Sequence, residues 1–376
     1  MRIARLSLRH FRNHVDRKLD PGPHLNLITG PNGAGKTNLL DAIHYLCMSR
    51  SFISSSDRYV VNEEESWFMV EGDFEGEIRS EFSVGCSYSR GDGKQIFVNG
   101  SALDRISDLI GMVPVVVLSP EDRKLTDEGP SERRSFLDGM ISQISNSYLA
   151  DLIRYNRIRK QRNRLLQEFR GGSDSIRPLL EPWNVQLVEA GTNIVVRRTE
   201  VLNRLRGYLK EQFRTLTGTD LEPGFEYRTF CEPDTSPDPI RTAYEKLLES
   251  SLEKELEREQ TLTGPHRDEV VFYLGDMELR HYGSQGQHRL FSVALKMAQL
   301  FYYSDELDDC PIMLLDDVFG QLDPAKTEFL LRTLEKHPGQ TFITSASEEP
   351  FRGLNEEQSS GNRWYKLDSN ELIQVY

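Results

Sequence analysis

The chain has 376 residues, with 59 acidic and 46 basic side chains and a formal net charge of -13. That length suits about two domains with a substantial core, and the acidity excludes a chain that is basic throughout while leaving room for a local basic surface. The apolar share of 38% is that of a globular protein.

Other classes fall away on pattern. No apolar run approaches the ~18 residues of a bilayer span, and the start, Met1-Arg-Ile-Ala-Arg-Leu6, lacks the apolar stretch and cleavage site of a signal peptide. Cys47, Cys86, Cys231 and Cys310 are far apart with no C-x-x-C pair. They predict reduced thiols, no zinc site and a cytoplasmic chain with no membrane partner.

In chain order, Ile3 to Leu8 alternates apolar and polar, which predicts a strand. Leu25-Asn-Leu-Ile-Thr29 reads as a short buried strand. It runs into Gly30-Pro-Asn-Gly-Ala-Gly-Lys-Thr37, a complete G-x-x-x-x-G-K-[ST] loop. Asn38 to Cys47 follows with Leu39, Leu40, Ile43 and Leu46 at helical spacing. Gly30, Gly33 and Gly35 let the backbone curl until its N–H groups point at phosphate oxygens. The helix N-terminus adds partial positive charge. Lys36 is predicted to reach the outer phosphates and the Thr37 hydroxyl to hold Mg²⁺. Pro31, Asn32, Ala34 and Asn38 complete the cradle of an ATP site.

Two strand-like runs follow in 67–84, around Gly72 and Gly76. Lys94 to Val98 precedes the turn signal Asn99-Gly100, and Met112 to Leu118 reads as a buried strand. The middle of the chain, about 131–262, is helical instead. Helices are predicted over Ser145–Glu168, Glu181–Arg214 and Ile240–Gln260. Residues 154–170, running from the first of these helices just past its end, carry Arg154, Arg157, Arg159, Lys160, Arg162, Arg164 and Arg170 against one acidic residue, Glu168. Such asymmetry fits either nucleic-acid phosphates or a solvated or partner-facing helix. The tail returns to α/β character, with short strands at 312–315 and 341–344 and a hairpin around Ser369-Asn370. Both ends of the chain thus build one nucleotide-binding domain around a helical insertion.

Ile312-Met-Leu-Leu-Asp-Asp317 is an apolar strand ending in two carboxylates, the Walker B arrangement. Asp316 is predicted to orient Mg²⁺ and Asp317 to polarise the attacking water, with Lys36 as the third catalytic residue. Asp317 is one methylene shorter than the usual Glu, so turnover should be slow. Tyr282-Gly-Ser-Gln-Gly-Gln-His288 opens an apolar helix. Alone it is a helix cap. Between the Walker motifs it spells the signature of ABC-type ATPases, with Ser284, Gly286 and Gln287 offered to the γ-phosphate of an opposing subunit. Gly320-Gln-Leu-Asp323 stands at the dimer-seam loop.

These motifs form a wider set with Phe11-Arg-Asn13, Ser119-Pro-Glu-Asp122, Pro130-Ser-Glu-Arg-Arg-Ser-Phe-Leu-Asp138 and Gly264-Pro-His-Arg-Asp268. Over nearly its whole length the chain resembles the RecF family, bacterial recombination mediator ATPases related to SMC-type heads. The resemblance implies an α/β fold: a P-loop ABC-type ATPase head, mixed sheet plus parallel core, from residues 1–130 and 263–376. A helical arm, 131–262, is inserted. It further implies a weak, DNA-stimulated ATPase of recombinational repair, replication and the SOS response. An ATP-dependent homodimer would clamp duplex or gapped DNA and, with RecR and RecO, help load RecA at the nucleoid. Arg12 and Asn13 join the nucleotide site, Asp323 the trans clamp, and Arg154, Arg157, Arg159, Lys160 and Arg162 the DNA contacts.

The chain departs from the family pattern at Gly320-Gln321, where Ser-Glu is usual, at Glu269 and at His288. Ser345-Ala346 lacks the switch His of transporters. Two other classes remain: the nucleotide-binding subunit of an ABC transporter, and a P-loop small-molecule kinase.

Overall fold

The computed structural model describes residues 1–351, 361–368 and 372–374. The chain opens with β1 (Arg2–Phe11), β2 (His14–Leu19), β3 (Leu25–Thr29) and α1 (Lys36–Met48). It continues through β4 (Trp67–Glu75), β5 (Phe82–Ser89), β6 (Gly93–Val98), β7 (Ser101–Ala102) and β8 (Val115–Leu118). The helical stretch holds α2 (Lys124–Asp127), α3 (Pro130–Ile144), α4 (Asn146–Glu168) and α5 (Ser173–Thr217). Then come β9 (Pro223–Arg228), α6 (Pro237–Arg258), β10 (Glu269–Leu274), β11 (Met277–Glu278), α7 (Leu279–Tyr282) and α8 (Gln285–Glu306). The chain closes with β12 (Ile312–Asp316), α9 (Pro324–Lys336), β13 (Thr341–Ser345), β14 (Arg363–Leu367) and β15 (Leu372–Gln374).

Two compact units result: residues 1–122, 215–218 and 293–376 form the first, and residues 123–214 and 219–292 the second. The boundaries differ from the expected 131 and 262. Residues 263–292 pack with the helical unit because β10 pairs along β9, from Glu269↔Arg228 to Leu274↔Pro223, and extends to β11.

The first unit holds two sheets. One is antiparallel, in the order β2-β1-β4-β5-β6-β7; the other runs β15-β14-β3-β13-β12-β8. In the second, β14, β3, β13, β12 and β8 are parallel and β15 is antiparallel. Parallel strands covered on both faces read as continuous apolar runs, and every residue of β3, β12 and β13 is buried. On α1, Leu39, Leu40, Ile43 and Leu46 are fully buried. A Cβ on Gly72 would lie 2.8 Å from Leu46 Cδ1, so this glycine in β4 lets the helix sit close on the sheet. Strand β8 starts at Val115, after Pro114, and not at Met112. The terminal strands pair from Leu367↔Leu372, and the turn expected at Ser369-Asn370 lies outside the described residues.

In the second unit, α4 begins where Ser145 caps it, accepting from Tyr148 N. Helix α5 is longer than expected, 45 residues with Pro178 and Pro182 inside. Each proline removes a helical hydrogen bond. Burial of Ile176 and Leu180 against Leu166 and Leu252 holds the extra turns in place. Among the described residues no helix is long and apolar enough to cross a membrane.

Candidate functional site: a nucleotide cradle and a signature helix

The phosphate loop joins the end of β3 to α1. Gly30, Gly33 and Gly35 have φ of +155°, +85° and +102°. At +85° and +102° an L side chain is strained. Space adds to this at Gly35, where a Cβ would lie 2.6 Å from both Asn13 side-chain heteroatoms. Pro31, Asn32 and Gly33 are exposed, whereas Ala34 is buried. Lys36 is buried and its Nζ donates to the carbonyls of Gly30 (2.8 Å) and Pro31 (2.9 Å). An ammonium binds a phosphate oxygen more strongly than a carbonyl, so these contacts are exchangeable. Burial lowers the Lys36 pKa, and Asp317 and Asp316 oppose that shift.

The turn between β1 and β2 lies against this loop. Asn13 Nδ2 donates to Ala34 O (3.2 Å), and Asn38 Nδ2 donates to Asn13 Oδ1 (2.8 Å). His14 Nε2 lies 3.1 Å from Gly35 O. Burial pushes its pKa down to about 4, so the neutral ring donates there. Arg12, at φ +52°, is differently engaged: Nε donates to Asp41 Oδ2 (2.9 Å) and Nη2 to Ser51 Oγ (2.9 Å). Those bonds stitch α1 to the loop after it and leave only Nη1 for a nucleotide.

Parallel pairing of β12 and β13 brings the Walker B carboxylates to the same end of the sheet as the loop. Thr37 Oγ1 and Thr344 Oγ1 each donate to Asp316 Oδ1 at 2.8 Å. Burial raises the Asp316 pKa, and the Thr344 and Thr37 bonds pull it back. Asp317 is exposed, with φ +46°. Its N–H donates to Thr344 O (3.2 Å) and Oγ1 (3.1 Å). Thr37 and Asp316 are hard oxygen donors side by side, a set that fits Mg²⁺. No local motif in the sequence marks Thr344. Only its place beside Asp316, known once the strands are paired, reveals it.

The signature segment belongs to the second unit. Ser284 and Gln287 form a reciprocal cap: Gln287 N donates to Ser284 Oγ (3.3 Å) and Ser284 N to Gln287 Oε1 (2.8 Å). Among the described residues Ser284 Oγ only accepts, so its own O–H is available as a donor. Ser284, Gln285 and Gly286 are exposed, and the first-turn amides of α8 have no helical partner. A hydroxyl donor beside open amides at a helix N-terminus is an anion-binding arrangement. Asp323 caps α9, accepting from Lys326 N (3.0 Å) and pairing with the Lys326 side chain.

The basic helix divides. Arg162, expected among the DNA contacts, is fully buried, so that assignment is corrected. It bonds to Glu255 Oε2 (2.5 Å), Thr261 Oγ1 (2.9 Å) and Asn184 Oδ1 (2.9 Å). It lies on the apolar stripe of Tyr155, Ile158 and Leu166, spaced at helical intervals. Arg154 pairs with Glu189 at 2.7 Å on the surface. Arg157 and Lys160 are exposed and Arg159 is half-buried, and among the described residues none of the three has a salt bridge. The Gly-Pro-His-Arg-Asp loop adds the exposed Arg267. Burial, followed by the charge of Arg159, pushes neighbouring His266 down to about 3.

The strand–loop–helix cradle, the Walker B strand and the signature helix define a P-loop ATPase of the ABC/SMC-head class. The model of the RecF/RecN/SMC N terminal domain family matches residues 2–361. The DNA replication and repair protein RecF of Salinibacter ruber is 44% identical over 366 residues, covering 96% of this chain and 89% of that protein. The RecF of Chloroherpeton thalassium is 38% identical, covering 96% and 99%. Among solved structures, the recombination mediator protein RecF with ATP, of the RecFOR pathway, matches at TM-score 0.89 and 30% identity, covering 100% and 97%. An SMC head bound to the C-terminal winged-helix domain of ScpA matches at TM-score 0.56 and 13% identity, a likeness of fold. The chain belongs to the RecF family.

Proposed function

We propose that this chain is an ATP-dependent DNA-binding protein of recombinational repair whose homodimer clamps duplex DNA near single-strand gaps. The observation that carries the reading is the exposed signature cap with a free hydroxyl donor, in a chain that also has a complete phosphate loop. Lys36, Thr37 and Asp316 bind ATP in one subunit. Ser284, Gly286 and Gln287 of the other meet its γ-phosphate, with Asp323 at the seam. Neither copy alone holds a finished site, so ATP favours the closed dimer and hydrolysis reopens it. Thr37 and Asp316 would hold Mg²⁺, which would supply charge neutralisation at the phosphates. Asp317 accepts the proton of the attacking water, and its short side chain makes turnover weak. DNA stimulates that turnover by stabilising the closed form. Solved structures of RecF described as acting in the RecFOR pathway support pathway partners in general; we read these as RecR and RecO, with RecA loading as the outcome.

Arg157, Arg159, Lys160, Arg267 and the surface-paired Arg154 are the proposed phosphate contacts. Fluorescence anisotropy of a labelled duplex, with ATP·Mg²⁺, ADP·Mg²⁺ or no nucleotide at two salt concentrations, tests the reading. Binding that needs ATP and weakens with salt is expected. No binding in any condition sinks the clamp and brings the transporter and kinase alternatives forward. Removing each true phosphate contact should lower the salt slope by about 1, whereas the buried-pair replacement Arg162→Met, Glu255→Leu should leave it unchanged.

Ser284→Arg places a bulky cation where the partner's phosphate must come. Light scattering with ATP should find this variant monomeric while it still binds ATP. A Ser284→Arg dimer of ordinary affinity removes the trans clamp.

A further inference from the structure

Strand β13 lies between β3, which leads into the phosphate loop, and β12, which carries the Walker B carboxylates. In that register Thr344 is the direct neighbour of Asp316. Its side chain is fully buried, and its hydroxyl serves both carboxylate residues. Oγ1 donates to Asp316 Oδ1 at 2.8 Å and accepts from Asp317 N at 3.1 Å. A hydroxyl has one proton and two lone pairs. The proton goes to the carboxylate at 2.8 Å in preference to the Leu315 carbonyl at 3.4 Å, and a lone pair accepts from the amide.

Asp316 Oδ1 receives a second hydroxyl, that of Thr37, at the same 2.8 Å. The two bonds differ in permanence. Thr37 is the loop hydroxyl whose oxygen is needed elsewhere once ATP·Mg²⁺ is bound. Thr344 has no such duty, being internal to the sheet. Asp317 has φ +46°, a conformation a non-glycine residue adopts only when its surroundings hold it. The bond from its N–H to Thr344 is part of that hold.

We propose that Thr344 is a positioning residue for ATP hydrolysis: it is the permanent anchor that orients the Asp316 carboxylate and fixes the backbone that aims Asp317. The proposal rests on the ATPase reading above. It predicts that losing the hydroxyl slows the chemical step and leaves nucleotide binding intact, because Lys36 and the loop amides are untouched.

Thr344→Val keeps the shape and the β-branch and removes the hydroxyl; Thr344→Ser keeps the hydroxyl and removes the methyl. Single-turnover hydrolysis and the affinity for a fluorescent ATP analogue are measured on the full chain for both variants and the parent. Removing a supporting hydrogen bond of this kind typically changes activity about 10- to 100-fold. That loss is expected for Thr344→Val, with nucleotide affinity within about threefold of the parent and most of the rate kept by Thr344→Ser. Equal loss in both variants points to packing of the side chain and overturns the proposal. So does a Thr344→Val enzyme with the parent's rate, or one whose defect lies in nucleotide affinity alone. If the parent itself does not hydrolyse ATP, it is the ATPase reading that fails. Circular dichroism of both variants identifies any that do not fold, and Thr344→Ala then takes the place of a misfolded Thr344→Val.

Discussion

Replacing Asp317 by Asn should lower the hydrolysis rate about 10²- to 10⁴-fold, the usual contribution of a positioned general base. At 1.36 kcal/mol per tenfold, that is roughly 3–5 kcal/mol of barrier. The substitution is unusually clean at this position. Asp317 sits at φ +46°, and Asn tolerates left-handed backbone as well as Asp does. The bonds from its N–H to Thr344 survive unchanged. Only the negative charge and the proton acceptor are lost. ATP affinity should stay within a few-fold, and the ATP-bound dimer should accumulate. Phosphate release and light scattering with ATP check both halves. A variant that hydrolyses at the parent's rate places the base elsewhere. Glu at 317 gains a methylene of reach but is less at ease in left-handed backbone, so the two effects oppose each other.

The second large effect is one of stability. Arg162→Met leaves Glu255 buried without its cation, both side chains having 0% exposure. Breaking a buried pair by removing one partner typically destabilises by about 3–5 kcal/mol. Glu255 keeps one bond, from Leu262 N to Oε1 (2.8 Å), which does not neutralise its charge. Thr261 and Asn184 each lose a donor as well. Urea denaturation followed by circular dichroism should show an earlier loss of helix than in the parent. The double variant Arg162→Met, Glu255→Leu should recover much of that loss, since a buried pair exchanged for apolar groups is often neutral. If the single variant unfolds with the parent, the pair is not holding α4 to α6.

Several of these features were legible before any coordinates. The phosphate loop and the apolar strand ending in Asp316-Asp317 are local, and local chemistry dictates them. Arg162 was expected at DNA because it stands in a run of cations; its burial follows instead from sharing one helical face with Tyr155, Ile158 and Leu166. The extent of α5 was not legible, because Pro178 and Pro182 read as a helix boundary while tertiary burial overrides them. Nor was Thr344, an ordinary strand residue until pairing sets it beside Asp316. The grouping of residues 263–292 with the helices also depends on a long-range pairing, β10 with β9, that no local pattern announces.

The charge distribution has a consequence for how the proposed clamp responds to its medium. Each copy carries a formal net charge of -13, while the cations proposed to meet DNA lie together on α4 and the Gly-Pro-His-Arg-Asp loop. Two such copies repel as they approach, and added salt relieves that repulsion. The bond to DNA behaves the other way, since salt weakens every phosphate contact. Closure and DNA capture therefore pull in opposite directions along the ionic-strength axis. The assembled clamp should be most populated at an intermediate salt concentration, falling away on both sides of it.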